Sequence, residues 1–107
     1  MIRVVGLTDR AFREMEAAHD WWAENRSPLQ AAKLYNAFAD AIESLESNSE
    51  QCPLSPENGL FPFEIHDFRF GVGRRKTHRA VFMIRSDMVL IVAVKHLAQR
   101  SLSPGDI

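Results

Sequence analysis

The chain has 107 residues and a formal net charge of −1, with 46% hydrophobic and 25% charged residues. That length gives room for one hydrophobic core, so a single domain over 1–107 is expected, and the composition is too apolar for a disordered chain. The lone cysteine, Cys52, excludes an intrachain disulfide and a thiolate metal cluster, and the apolar run Met88–Val94 is far short of the ~20 residues of a membrane helix.

No apolar leader with a cleavage site follows Met1, so a cytoplasmic protein is expected. The net charge conceals a division. Residues 1–58 carry five Lys/Arg against ten Asp/Glu, and residues 59–107 carry eight against four. Such a polarised chain can present a basic face to an anion.

Ile2 to Leu7 is a short β-leaning run. Thr8 or Asp9 then offers a side-chain oxygen to cap a helix, and Phe12, Met15, His19 and Trp22 recur on one helical face. That helix should end near Asn25. Ser27-Pro28-Leu29-Gln30 restarts the pattern, with Ser27 as cap and Pro28 at the first helical position. Ala31, Leu34, Tyr35, Phe38, Ile42 and Leu45 carry a second helix to about Ser47. The link Asn25–Ser27 is so short that the two helices must be antiparallel neighbours. Of Trp21 and Trp22, one ring belongs in the core and the other near the surface.

Pro53, Pro56, Gly59 and Pro62 break residues 48–62 into a loop. Phe63 to Phe70 is strand-like, but its apolar phase switches between Ile65 and Phe68, which predicts a bulge or a twisted edge. Gly71 to Thr77 is a basic turn. His78–Arg85 and Met88–His96 are two strands joined at Ser86-Asp87. The second is apolar on both faces, so it is central and covered on both sides. The helices cover one side, and the C-terminal tail or another chain must cover the other. The fold class predicted is α+β, in the order β-α-α-β-β-β, with an N-terminal strand and a helical hairpin packed on an antiparallel sheet.

The densest chemistry is Arg74-Arg75-Lys76-Thr77-His78-Arg79, preceded by Arg69. A solvated turn is the plain alternative, but Gly71 and Gly73 allow close backbone approach to a ligand and the run feeds into a core strand. Phosphate is the anion that best suits several arginines. With a two-residue turn at Ser86-Asp87, Arg79 falls opposite Val94 with His96 diagonal on the same face, and His78 pairs with Lys95 on the other. A three-residue turn would set Arg79 opposite Lys95. An Arg beside a His suits RNA cleavage, the histidine moving a proton and the arginine holding the charged phosphorane. The four histidines lack metal-ligand spacing and no phosphate-binding glycine loop is present, so no cofactor or metal is expected.

Several segments together resemble the RelE/ParE superfamily of toxins from bacterial type II toxin–antitoxin (plasmid stabilisation) systems. They are Asp20–Asn25, Ala31-Ala32 through Phe38, Ala41-Ile42, Pro62–Ile65, Phe70–Arg75, His78–Phe82 and Val92–His96. The resemblance spans nearly the whole chain and keeps the order of elements. It implies two N-terminal helices on a twisted antiparallel sheet, and an antitoxin that wraps the toxin and covers apolar surface. It implies further that the chain is a metal-independent endoribonuclease acting on mRNA at the ribosome, or, as in ParE-like members, a non-enzymatic poison of DNA gyrase. In the first case Arg79 matches the transition-state arginine, and Lys95 or His96 would stand near the usual basic residue after the last strand, so that Arg79, His96 and Lys95 would be the catalytic residues. Arg69, Arg74, Arg75, Lys76 and His78 would then hold RNA. The C-terminal tyrosine or histidine of some ribonuclease members has no clear counterpart in Leu97–Ile107. An inactive antitoxin-binding module is the remaining alternative.

Overall fold

The computed structural model describes residues 2–99 together with Leu102 and Gly105. In chain order come β1 (Val4–Leu7), α1 (Asp9–Asn25), α2 (Pro28–Asn48), β2 (His66–Phe70), β3 (His78–Ile84) and β4 (Met88–His96), with two short 3-10 turns between α2 and β2. Both helix starts are built as their sequences demand. Thr8 Oγ1 accepts the Ala11 N–H at 3.1 Å, and Ser27 Oγ accepts that of Gln30 at 3.0 Å. Each cap satisfies a first-turn donor that no helical carbonyl can reach.

The four strands lie in the order β1-β4-β3-β2. β2, β3 and β4 are antiparallel, as expected, but β1 runs parallel to β4, with Val4 beside Met88 and Leu7 beside Ile91. The sheet is therefore mixed. β1 enters beside β4, and the helical pair then carries the chain across the sheet to β2 on the far edge; only such a long crossover permits a parallel neighbour.

Against the helices lies the larger core. Ala11, Met15, Trp22, Ala31, Leu34, Phe38, Ala41 and Leu45 meet Phe70, Ala80, Phe82, Val89, Ile91 and Val94. Met15 and Trp22 of the predicted α1 stripe are buried, but Ala11 is buried in place of Phe12, which is 51% exposed, and His19 is half-exposed against Tyr35. The small Ala11 lets the helix approach the sheet closely, and the Phe12 and Trp21 rings are left at its flanks.

On the other face Ile65, Val81, Val92, Ala93 and Leu102 form a second cluster, flanked by Phe61, Phe63, Met83 and Leu90. The chain's own loop and Leu102 thus cover the side of β4 that the helices leave open. This also explains the phase switch before β2. Phe68 and Phe70 pack toward the helices, while Ile65 and Asp67 are buried on the opposite side. β2 needs no bulge.

The bulge is in β4. Near the turn, Ile84 pairs with Val89 and Phe82 with Ile91, as a two-residue link dictates. The register then shifts, so that Ala93 stands opposite Val81, Lys95 opposite Arg79 and His96 opposite His78. One extra residue on one strand changes every partner beyond it.

Candidate functional site

The basic turn is an exposed surface. Arg69, Arg74, Arg75 and Lys76 all face solvent, and none forms an ion pair with a described residue. The glycines serve the turn itself. A Cβ on Gly71 would run into the carbonyl oxygen of Arg75, and Gly73 holds φ at +69°. The close approach at Gly71 is to the chain's own backbone.

Arg79 lies apart from that surface, though it pairs across the sheet with exposed Arg69. It is only 7% exposed. Its guanidinium grips Glu57 through both nitrogens, Nη1 to Oε1 at 2.9 Å and Nη2 to Oε2, and Nη1 also meets Asp67 Oδ2 at 3.1 Å. Asp67 accepts a further bond from the Ser55 hydroxyl, and Glu57 Oε2 takes the Leu102 N–H at 2.8 Å. The Arg79 hydrogen bonds hold the Glu57 carboxyl down to about 2, and those same carboxylates raise Arg79 above its usual value. Charge placed this deep persists only because it is paired so completely. A cleft of about 150 Å³ opens beside it, lined by Pro56, Glu57, Arg69, Arg79, Leu97 and Gln99.

The register shift separates Arg79 from His96. The expected Arg79–Val94 and His78–Lys95 pairs are replaced by Arg79–Lys95 and His78–His96. The Lys95 ammonium reaches Glu14 on α1, 2.5 Å away. The His78 and His96 rings meet edge to face with centroids 5.0 Å apart. His78 is buried against Trp22 and Phe70 on the helix side, away from the exposed arginines. Burial, helped by His96 and Arg26, pushes its pKa down to about 4, so it is neutral at pH 7. His96 Nδ1 accepts the Ala98 N–H at 2.9 Å, which leaves its proton on Nε2.

These two rings close one end of a cleft of about 450 Å³ between α1 and the ends of β3 and β4. Trp22 and Trp21 form a wall. Trp22 is buried and Trp21 is 56% exposed, the division expected of the pair. Among the described residues no group of three or more His, Cys, Asp or Glu could hold a metal ion, and no helix is long and apolar enough to cross a membrane.

The residues that sequence reasoning missed are Glu57, Asp67 and Glu14. Glu57 sits among the loop's prolines and Asp67 between Ile65 and Phe68. Their one legible signal is a carboxylate in an otherwise apolar or broken context, which does not identify a partner 22 or 12 residues away.

The arrangement can be set beside known proteins. No curated protein sequence matches the chain. Among solved structures, a chain described as the chromosomal ParDE toxin–antitoxin system from P. aeruginosa superposes with a TM-score of 0.71 at 16% identity, over 89% of this chain and 96% of that one. At that identity the likeness establishes the fold. The family described as the ParE toxin of the type II toxin–antitoxin system parDE matches residues 5–100, a span from β1 past the end of β4. The chain belongs to the ParE toxin family of type II toxin–antitoxin systems, a class that implies an antitoxin partner.

Proposed function

We propose that this toxin acts by binding its target without a chemical step, the target being the DNA gyrase that a ParE resemblance implies. The observation that supports this most is the state of Arg79. An arginine that stabilises a phosphorane must aim open N–H donors at the reacting phosphate. The Arg79 guanidinium is buried and engaged by Glu57 and Asp67. Glu57, held near 2, is a weak base at neutral pH. The cleft beside it, about 150 Å³, falls below the ~300 Å³ of ordinary ligand sites. The expected partner His96 has moved to the other side of the register.

Ribosome-dependent mRNA cleavage is the second reading. The exposure of Arg69, Arg74, Arg75 and Lys76 favours it, since cationic side chains follow a phosphate backbone. One experiment separates the two. The purified chain is added to a gyrase supercoiling reaction and to a translating extract, side by side. Supercoiling should stop while the messenger stays intact. Messenger fragments that vanish with Arg79→Ala would overturn the binding-only reading.

A further inference from the structure

The link between β2 and β3 gathers four cations that the fold itself does not use. Arg69, Arg74, Arg75 and Lys76 are exposed, and no described residue forms an ion pair with any of them. The turn that carries three of them is fixed in shape. Thr77 N–H donates to Phe70 O at 3.0 Å and closes it, and Val72 packs against the larger core. A Cβ on Gly71 would stand 2.2 Å from the Arg75 carbonyl oxygen. Consecutive cations repel one another, yet here the backbone holds them together.

The surroundings leave this charge uncancelled. Arg69 alternates with Phe68 and Phe70, which pack toward the helices, so its side chain lies on the loop-covered face. The carboxylates buried on that face, Glu57 and Asp67, are already engaged by Arg79. Exposed Asp20, Glu24, Asp40 and Glu43 belong to the helices on the other side of the sheet. Glu64 precedes β2 and Asp87 follows β3, at the strand ends remote from the turn. The chain is thus basic at one end of its sheet and acidic along its helices, a field that draws a polyanion to the turn.

A phosphate backbone of either DNA or RNA would suit four cations, and aromatic rings decide between them. Single strands are held by stacking their bases on exposed rings beside a basic groove. Residues 71–76 include no aromatic residue, and Phe70, next to Arg69, is buried against Phe38. The exposed rings Phe12, Trp21 and Tyr35 are on the helices. A duplex stacks its own bases and asks only that its phosphates be met. We propose that the β2–β3 turn is a site for the phosphate backbone of double-stranded DNA, and that it holds the toxin on gyrase already engaged with DNA. The gyrase half of this inference rests on the target reading above, and the DNA site rests on the turn alone.

The test titrates the full chain against a fluorescein-labelled duplex of about 20 base pairs and a single-stranded RNA of the same sequence, between about 50 and 200 mM KCl. Four phosphate contacts should give log affinity a slope of about −3.6 against log salt, so duplex binding falls roughly a hundredfold over that range. Arg74→Gln with Arg75→Gln should reduce the slope by about two, and Lys76→Gln alone by about one. Lys33→Gln, at an exposed position of α2, should leave it unchanged. In a supercoiling reaction the double variant should need at least about tenfold more protein than the parent chain. Equal slopes in the parent and the turn variants, or RNA bound more tightly than the duplex, overturn the proposal. Equal inhibition by the parent and the double variant keeps gyrase as the target and overturns the role given to the turn. A parent chain that binds the duplex and spares supercoiling removes the gyrase reading and leaves the DNA site standing.

Discussion

The two faces of the sheet are built on different principles. The helix-covered face is a broad apolar core contributed by α1, α2 and all three antiparallel strands. The loop-covered face has a small apolar cluster beside a buried guanidinium held by two carboxylates, one of which also accepts a backbone N–H. The first is held by area, which is non-directional and tolerates repacking. The second is held by geometry, which fails when one member is removed. A toxin that must fold and also be recognised has its indifferent half under the helices and its exacting half under the loop.

The largest effect should come from the helix side. Phe82 is fully buried, and Phe82→Ala should cost about 3–5 kcal/mol in urea unfolding, the same at pH 5 and pH 8. A loss under ~1 kcal/mol would mean that core is loosely packed. Next comes Arg79→Met, which strands Glu57 and Asp67 and should cost about 3–4 kcal/mol. Here the loss should shrink as the pH falls and the stranded carboxyls take up protons. Repair by adding Glu57→Gln and Asp67→Asn would mark the cluster as replaceable; a pH-independent loss would contradict the ion-pair account.

Acid should take the faces apart in sequence. His78 and Glu57 have folded pKa values below their unfolded ones, so the unfolded chain binds the proton first and stability falls as pH drops. For His78 the window runs from 6.5 down to about 4, and for Glu57 from 4.5 down to about 2. Each contributes on the order of 3 kcal/mol at most. Stability profiles of His78→Phe and Glu57→Gln should each lose one window and keep the other. A single shared window in both variants would refute the assignment. The smallest effect belongs to Ser27→Ala, about 1 kcal/mol from a lost helix cap, with no pH dependence. A cost below a few tenths would show that the α1–α2 link is fixed by packing alone.

What was legible in the sequence divides along the same line. Ser27, Pro28 and the α2 stripe mark a helix because capping and 3.6-residue periodicity are local. The β3–β4 hairpin and the division between Trp21 and Trp22 follow equally from local pattern. The bulge near Val92 left no trace, since a run apolar on both faces looks the same in either register, and that single residue moved His96 from Arg79 to His78. The parallel placement of β1 depends on the route of two helices. The Glu57–Arg79 pair joins residues 22 positions apart through a proline-rich loop, where no periodicity operates.

The parallel pairing of β1 with β4 also sets a timetable. β4 lies in the middle of the sheet, yet it is the last strand to leave the ribosome, and β1, made first, has no partner until then. Synthesis at about 5–20 residues per second leaves the helical hairpin without a sheet for several seconds. Until synthesis has passed residue 96, the apolar face of the hairpin therefore has no sheet to pack against and is exposed to whatever apolar surface it meets.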